Sequence, residues 1–184
     1  MPTFFHVDRR KRLEAGQRLG LLPPASQLPV DLATHLDELF PAGLSDHGHR
    51  YFTAPGSNTP WADRVKELIW EFARRSCFPD QPSRLVSTFA WRTLEEARTF
   101  AAAQPGGVTS MPIYEVQAHD AFVANMSLLH CDSSGVRISQ LVHYYWRGES
   151  GPTDLPGLGN PVWEVLLHGP VQVIGQVLPH EGCK

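Results

Sequence analysis

The residue with the most chemical promise is an acid at the head of an apolar run. Glu164 precedes Val165-Leu166-Leu167 within the stretch Gly159 to Val177. A carboxylate there is either a solvated strand end or a group aimed into a cleft, since Asp and Glu are seldom buried without partners. His6 sits in a second apolar run, Thr3-Phe4-Phe5-His6-Val7, as either a core histidine satisfied by backbone or a strand-borne polar contact. Small hydroxyls and an aromatic ring follow later, at Ser87-Thr88-Phe89. Arg9-Arg10-Lys11-Arg12 is a local basic run, which is a solvated face or a site that meets a phosphate.

Other chemistries lack their spacing. His47 with His49, and His130 with Cys131 and Asp132, do not have the paired ligand spacing of a structural zinc site, and H-E-x-x-H is absent, so no metal is expected. There is no G-x-S-x-G, no Walker A and no G-x-G-x-x-G after a strand, which leaves the corresponding hydrolase, triphosphate and dinucleotide folds unsupported.

The 184 residues suit one domain, 1–184, with an irregular insertion or lid at about 23–60. Hydrophobic content of 42% against 19% charged residues describes an ordinary globular chain. A formal net charge of -3 gives no electrostatic case for DNA or a membrane as a bulk partner. Three cysteines without a CxxC argue against a disulfide framework. Neither a signal peptide nor eighteen consecutive apolar residues can be read, so the expectation is a cytoplasmic protein.

The elements that must position these residues follow from periodicity. Thr3 to Val7 reads as a first strand, rich in aromatic and β-branched residues. Within the Pro-rich segment, Val30 to Phe40 is a short amphipathic piece. Trp61 to Ser76 is the strongest helix, with Val65, Leu68, Ile69, Phe72 and Ala73 as its apolar stripe; Glu67 and Glu71 fall opposite, and no chemistry is assigned to it. Pro82 to Trp91 reads as a strand feeding a helix at Thr93, where Thr93 and Glu96 form a capping box. Pro105-Gly106-Gly107 ends that helix, and Pro112 to Ala118 is the next strand. Asp120 to Leu129 reads as loop and Ile138 to Trp146 as helix. Glu164 to Leu167, the turn at Gly169-Pro170, and Val171, Val173 and Val177 alternating with Gln172 and Gln176 give two final strands.

The order of these pieces resembles the ADP-ribosyltransferase superfamily. His6 on the first strand, Ser87-Thr88-Phe89 before a helix, and VWEVLLHGPVQVIG near the end match its sequence of motifs. STFAWRTLEEARTFA followed by PIYEV, with GNP and PVQVIGQV, resembles the rifampin-modifying branch. The resemblance is carried by Thr3–Val7, Arg84–Ala118 and Gly159–Val177, and the whole chain looks like a bacterial family of this make-up. It departs at His6-Val7, where His-Gly is usual, and at Val162, where a second acid or Gln is usual. RYFTA around Tyr51 is similar to that branch's tyrosine motif but stands earlier in the order.

What the resemblance implies is an α+β fold of two small, mostly antiparallel sheets around an NAD cleft, with peripheral helices. The implied activity is NAD-dependent mono-ADP-ribosyl transfer: the nicotinamide–ribose bond is cleaved and ADP-ribose passes to an acceptor that the sequence does not identify. Cleavage develops an oxocarbenium-like cation of the kind glycosidases stabilise with carboxylates, and a fixed carboxylate can be a large catalytic term. Glu164, His6 and Ser87 would be catalytic. His6, Val7, Arg9, Arg10, Ser87, Thr88 and Phe89 would hold NAD, with Phe89 stacked on nicotinamide and Arg9 or Arg10 on the diphosphate. Asp120, which the rifampin branch favours, and Tyr51 are the alternative site residues. Other functions on the same fold are NAD glycohydrolysis, RNA 2′-phosphotransfer, and a silent module binding a nucleotide or protein. Whether the protein acts in its own cell or is delivered to another, as a toxin or effector, is not legible.

Overall fold

Two antiparallel sheets meet along one seam. The computed structural model describes residues 1–23, 28–54, 60–104, 111–152 and 158–177. In the first sheet β1 (Thr3–Val7) pairs with β4 (Ile113–Gln117), β4 with β7 (Val171–Gln176), and β7 with the short β2 (Arg18–Leu19). In the second, β6 (Trp163–His168) lies between β3 (Thr88–Ala90) and β5 (Asp120–Asn125). Every pairing is antiparallel. A lone bridge joins the sheets, where Phe5 and Trp91 exchange backbone hydrogen bonds of 2.9 Å.

Alternation decides which side chains fill which layer. Phe4, Tyr114 and Val116 of one sheet meet Ala90, Val165 and Leu167 of the other in a shared core, with Val171 and Val173. Leu166, one residue out of phase with Val165 and Leu167, faces the opposite layer. There α3 (Trp61–Cys77) and α5 (Gly135–Arg147) pack Trp70, Leu141, Val142, Tyr145 and Trp146 against Leu166 and Ala124. Beyond the first sheet, α4 (Leu94–Ala102) buries Ala97 and Ala101 on Val7, Trp91 and Ile113. The Thr93–Glu96 capping box is formed, with Glu96 N–H donating to Thr93 Oγ1 and Thr93 N–H to Glu96 Oε2. The architecture is α+β with two small antiparallel sheets and helices outside them.

Several elements differ from the sequence expectation. Asp120–Asn125 is a strand, not a loop; Phe122, Val123 and Ala124 pair with Leu166, Val165 and Glu164 and bury one edge of β6. Pro82–Trp91 is turn over its first half, and pairing is confined to Thr88–Ala90 on β6 and the bridge of Trp91 to Phe5. The two final strands are present, but they belong to different sheets. Gly169, at φ +81°, turns the chain from one layer to the other rather than closing a hairpin. The long helix is rotated relative to its apolar stripe. Glu67, Trp70 and Glu71 are buried, while Phe72 is 57% exposed. Ion pairs explain the inversion, because two buried carboxylates are tolerated where arginines meet them.

The segment between β2 and α3 packs by its own cluster. The helix α1 (Val30–Leu39) contributes Leu36, and with Phe40 and Leu44 it closes on Leu85. A short helical turn, α2 (Asp46–Gly48), then docks on the turn before β3. Ser45 caps it: Oγ accepts from Gly48 N–H at 3.2 Å and donates to Leu85 O at 3.0 Å. Gly48 is required by proximity, since a Cβ there would stand 2.2 Å from Leu85 O, a backbone atom. Gly48→Ala is expected to lower stability by about 1–3 kcal/mol, as overpacking does. A urea midpoint equal to that of the wild type would show that α2 is not seated this closely.

Cys77 and Cys131 carry free thiols, and burial pushes the Cys131 thiol up. Cys183 and Pro105-Gly106-Gly107 lie outside the described residues. No helix among the described residues is long and apolar enough to cross a membrane.

Candidate functional site

Four elements converge on Phe89. It lies on β3, opposite Leu166 of β6 and on the same face, one strand step from Glu164. Arg84, on the turn Arg84–Val86, places its guanidinium 4.8 Å from the Phe89 centroid. The ring of His47 of α2 lies tilted by 38° against both Phe89, at 4.4 Å, and Tyr51, at 4.5 Å, between centroids. On the other side, His6 Nδ1 is 2.6 Å from Phe89 O. A carbonyl only accepts, so the proton is on His6 Nδ1 and the Nε2 lone pair is left for another donor. Burial lowers the pKa of the His6 imidazole, and the Phe89 carbonyl, Asp8 and Asp46 only partly offset it.

Behind the ring lies a buried charge network. Arg84 is 4% exposed and grips Glu67 with two nitrogens, Nε to Oε2 at 2.9 Å and Nη2 to Oε1 at 3.0 Å. Its Nη1 donates to Glu164 Oε1 and to the Tyr145 hydroxyl, and Tyr145 in turn donates to Glu164 Oε1 at 2.8 Å. His47 Nε2 approaches Glu67 Oε1 to 3.1 Å. The N–H axis of that nitrogen lies off the line to the oxygen, so this is a close charge contact rather than a straight hydrogen bond.

Burial alone would raise the Glu67 carboxyl, but Arg84, with His47 beside it, outweighs that and holds it far below the usual carboxylate range. Burial would likewise lower Arg84, yet Glu164 and Glu67 raise it well above its ordinary value. Burial pushes the Tyr145 phenol well up, so it stays a neutral donor. Two carboxylates share one guanidinium, so these three groups carry one net negative charge in a space of low dielectric.

The structure brings some expected site residues together and separates others. His6 and Phe89 touch, and Tyr51 stands with them through His47. Glu164 is 4% exposed and faces the helix-covered layer, so it reaches Phe89 only by way of Arg84. Ser87 is 1% exposed, with its hydroxyl donating to Ser83 O at 2.7 Å rather than facing a cleft. Val7 is buried among the residues under α4, and Thr88 is half-buried. Arg9 is exposed, and Arg10 pairs with Asp46 at 2.8 Å. Buried Asp8 holds this loop by accepting from the backbone of Arg10, Arg12 and Leu13. Asp120 is exposed at the far strand, opposite His168. Among the described residues no three His, Cys, Asp or Glu side chains stand close enough to hold a metal ion.

Sequence reasoning missed Arg84, Glu67, Tyr145 and His47. Two signals were there to be used. Arg84 is the only charge between Ser83 and Trp91, and Glu67 and Glu71 are spaced i, i+4 around Trp70. Lying opposite the larger apolar stripe, Glu67 and Glu71 read by pattern alone as part of a polar face.

No curated protein matches the chain. A family model described as "Protein of unknown function (DUF2441)" matches residues 50–179. That span takes in Tyr51, Glu67, Arg84, Phe89, Tyr145 and Glu164, and leaves out His6, Arg9, Arg10 and His47. With well over half of its length matched, the chain belongs to the DUF2441 family.

Proposed function

We propose that this chain is an NAD-dependent ADP-ribosyltransferase working at the seam between β1 and β3. The observation that supports it most is the hydrogen bond from His6 to Phe89 O, which fixes the imidazole of the first strand against the middle motif. His6 Nε2 is then an acceptor for a ribose hydroxyl. Phe89 and Tyr51 hold the His47 ring between them, so the aromatic residues of the seam position an imidazole beside the bound nucleotide. Arg9, exposed at the end of β1, suits a diphosphate. The Glu67–Arg84–Glu164 network provides charge rather than contact, its net negative charge favouring the oxocarbenium-like cation as nicotinamide leaves.

A second reading is favoured by one feature. Glu164 already has both Arg84 and Tyr145 on one oxygen, which is the disposition of a structural acid. On that reading the chain binds a nucleotide without transferring it.

Nicotinamide release from NAD by the purified protein, with cell lysate as acceptor, separates the two. The transferase is expected to release nicotinamide, and Glu164→Gln, which is isosteric, to slow release by about 10²-fold or more, as loss of a preorganised electrostatic group does. NAD binding without release would favour the silent module. Absence of both would remove NAD from the account.

A further inference from the structure

The imidazole of His47 has the surroundings of a working base. It stands on α2, which Gly48 and Ser45 seat firmly against Leu85. Its ring is held between Tyr51 and Phe89, and its side chain keeps 18% of its exposure. Nε2 is buried and faces Glu67 Oε1 at 3.1 Å. An Nε2 lone pair 3.1 Å from a carboxylate oxygen is repelled even off axis, whereas an N–H there is attracted, so the proton belongs on Nε2. The lone pair of the neutral ring is then on Nδ1, which makes no hydrogen bond among the described residues. The carboxylate is fixed in turn by two bonds from Arg84. A ring oriented by a carboxylate with its other nitrogen unengaged is the arrangement of a general base.

We propose that His47 Nδ1 takes the proton of the acceptor, with Glu67 as its positioning residue, and that the acceptor is a hydroxyl, either an alcohol or water. The substrate part of this rests on the NAD-cleaving reading above; the dyad does not. In the step, the acceptor oxygen bonds to the ribose C1′ as its proton passes to Nδ1. The C1′–nitrogen bond breaks, and its electron pair leaves with nicotinamide, which departs neutral. Positive charge moves from the nicotinamide ring to the imidazole, beside a network that already holds one excess negative charge. A hydroxyl suits an imidazole base because its proton leaves as its oxygen bonds to C1′, whereas a guanidinium acceptor is cationic at every working pH and would be repelled by the cation it attacks. The ring of His47 lies against the same Phe89 whose carbonyl holds His6, so the base and the ribose-binding imidazole meet at one residue.

The test has two readouts. With NAD saturating and glycerol or water as acceptor, His47→Gln should slow nicotinamide release by about 10²–10⁴-fold, the range for a lost general base, with KM for NAD unchanged. A rate within about twofold of the wild type overturns the proposal. The ring ¹⁵N signals of His47, assigned by their loss in His47→Gln, should show the Nε2-protonated tautomer in the ligand-free wild type. They should show a mixture in Glu67→Gln, or in Glu67→Asp if the glutamine variant does not fold. If the wild type releases no nicotinamide, the NAD reading fails by itself and the ring signals still decide the dyad. The shift between tautomers keeps His47 as an oriented base, and identical signals in wild type and variant overturn it.

Discussion

Arg84→Met is expected to lower the free energy of unfolding by about 3–5 kcal/mol, the cost of leaving a buried charge without its partner. For a chain of this length that is on the order of a 10 °C fall in Tm. The reason is a shared debt of charge: Glu67 and Glu164 are 3% and 4% exposed, and both depend on one guanidinium. Methionine fills much of the volume but donates nothing. Glu67 would keep only the off-axis contact with His47, and Glu164 only the Tyr145 hydroxyl. Restoring neutrality should recover part of the loss, so Arg84→Met combined with Glu67→Gln and Glu164→Gln should be more stable than Arg84→Met alone. Urea unfolding monitored by tryptophan fluorescence checks both. A loss under about 1 kcal/mol for the single variant would mean that water reaches the network.

The layers of the fold were legible where a residue pattern had one physical cause. Thr3–Val7 and Ile113–Gln117 read as strands because aromatic and β-branched residues serve both faces, Phe4, Tyr114 and Val116 in the shared core and Val7 and Ile113 under α4, and Thr93 with Glu96 signals a helix start by local hydrogen bonding alone. Errors arose where two causes compete. Asp120–Asn125 begins with an exposed acid and ends with buried Asn125, whose side-chain amide is spent on Ser150 O and the backbone of Ser127 and Val162. A strand closed by such polar bonds reads as loop. The turn at Gly169-Pro170 was legible, but not that it changes sheets, because partner choice is a long-range property.

The site was legible only in its outline. His6 and Phe89 do meet, although nothing in either residue's neighbourhood states that the contact is imidazole to carbonyl. The helix Trp61–Cys77 shows why the remainder was hidden. Its apolar stripe, read alone, sends Glu67 and Glu71 to solvent. The deciding residues are far along the chain: Arg84 for Glu67, and Ser83 for Glu71, together with Arg74 and Arg75 nearby. A buried ion pair is a property of two segments, and the hydrophobic pattern of one cannot show it.

Stability should fall in two stages as the pH is lowered, and the same buried groups set both. His6 is held neutral in the folded state, with its pKa below the ordinary 6.5. Below about 6.5 the unfolded chain takes up a proton that the folded site resists, so the contribution of His6 is complete above that pH and declines beneath it. The acids come next. Glu67 and Glu71 are both held below their ordinary 4.5, Glu67 by Arg84 and His47 against its burial, Glu71 by Arg74, Ser83 and Arg75 against its own. Their stabilisation is complete above about 4.5 and is lost as the pH falls through the depressed folded values. Two carboxylates act in the lower stage against one imidazole in the upper, and the lower stage leads into acid unfolding. Urea midpoints at pH 7.5, 5.5 and 3.5 measure the two stages. His6→Gln, which keeps a donor for Phe89 O but does not titrate, should abolish the decline between pH 7.5 and 5.5 and leave the acid stage intact. If that variant declines as the wild type does, the imidazole at the seam is open to water, and the ribose-binding role assigned to it loses its structural basis.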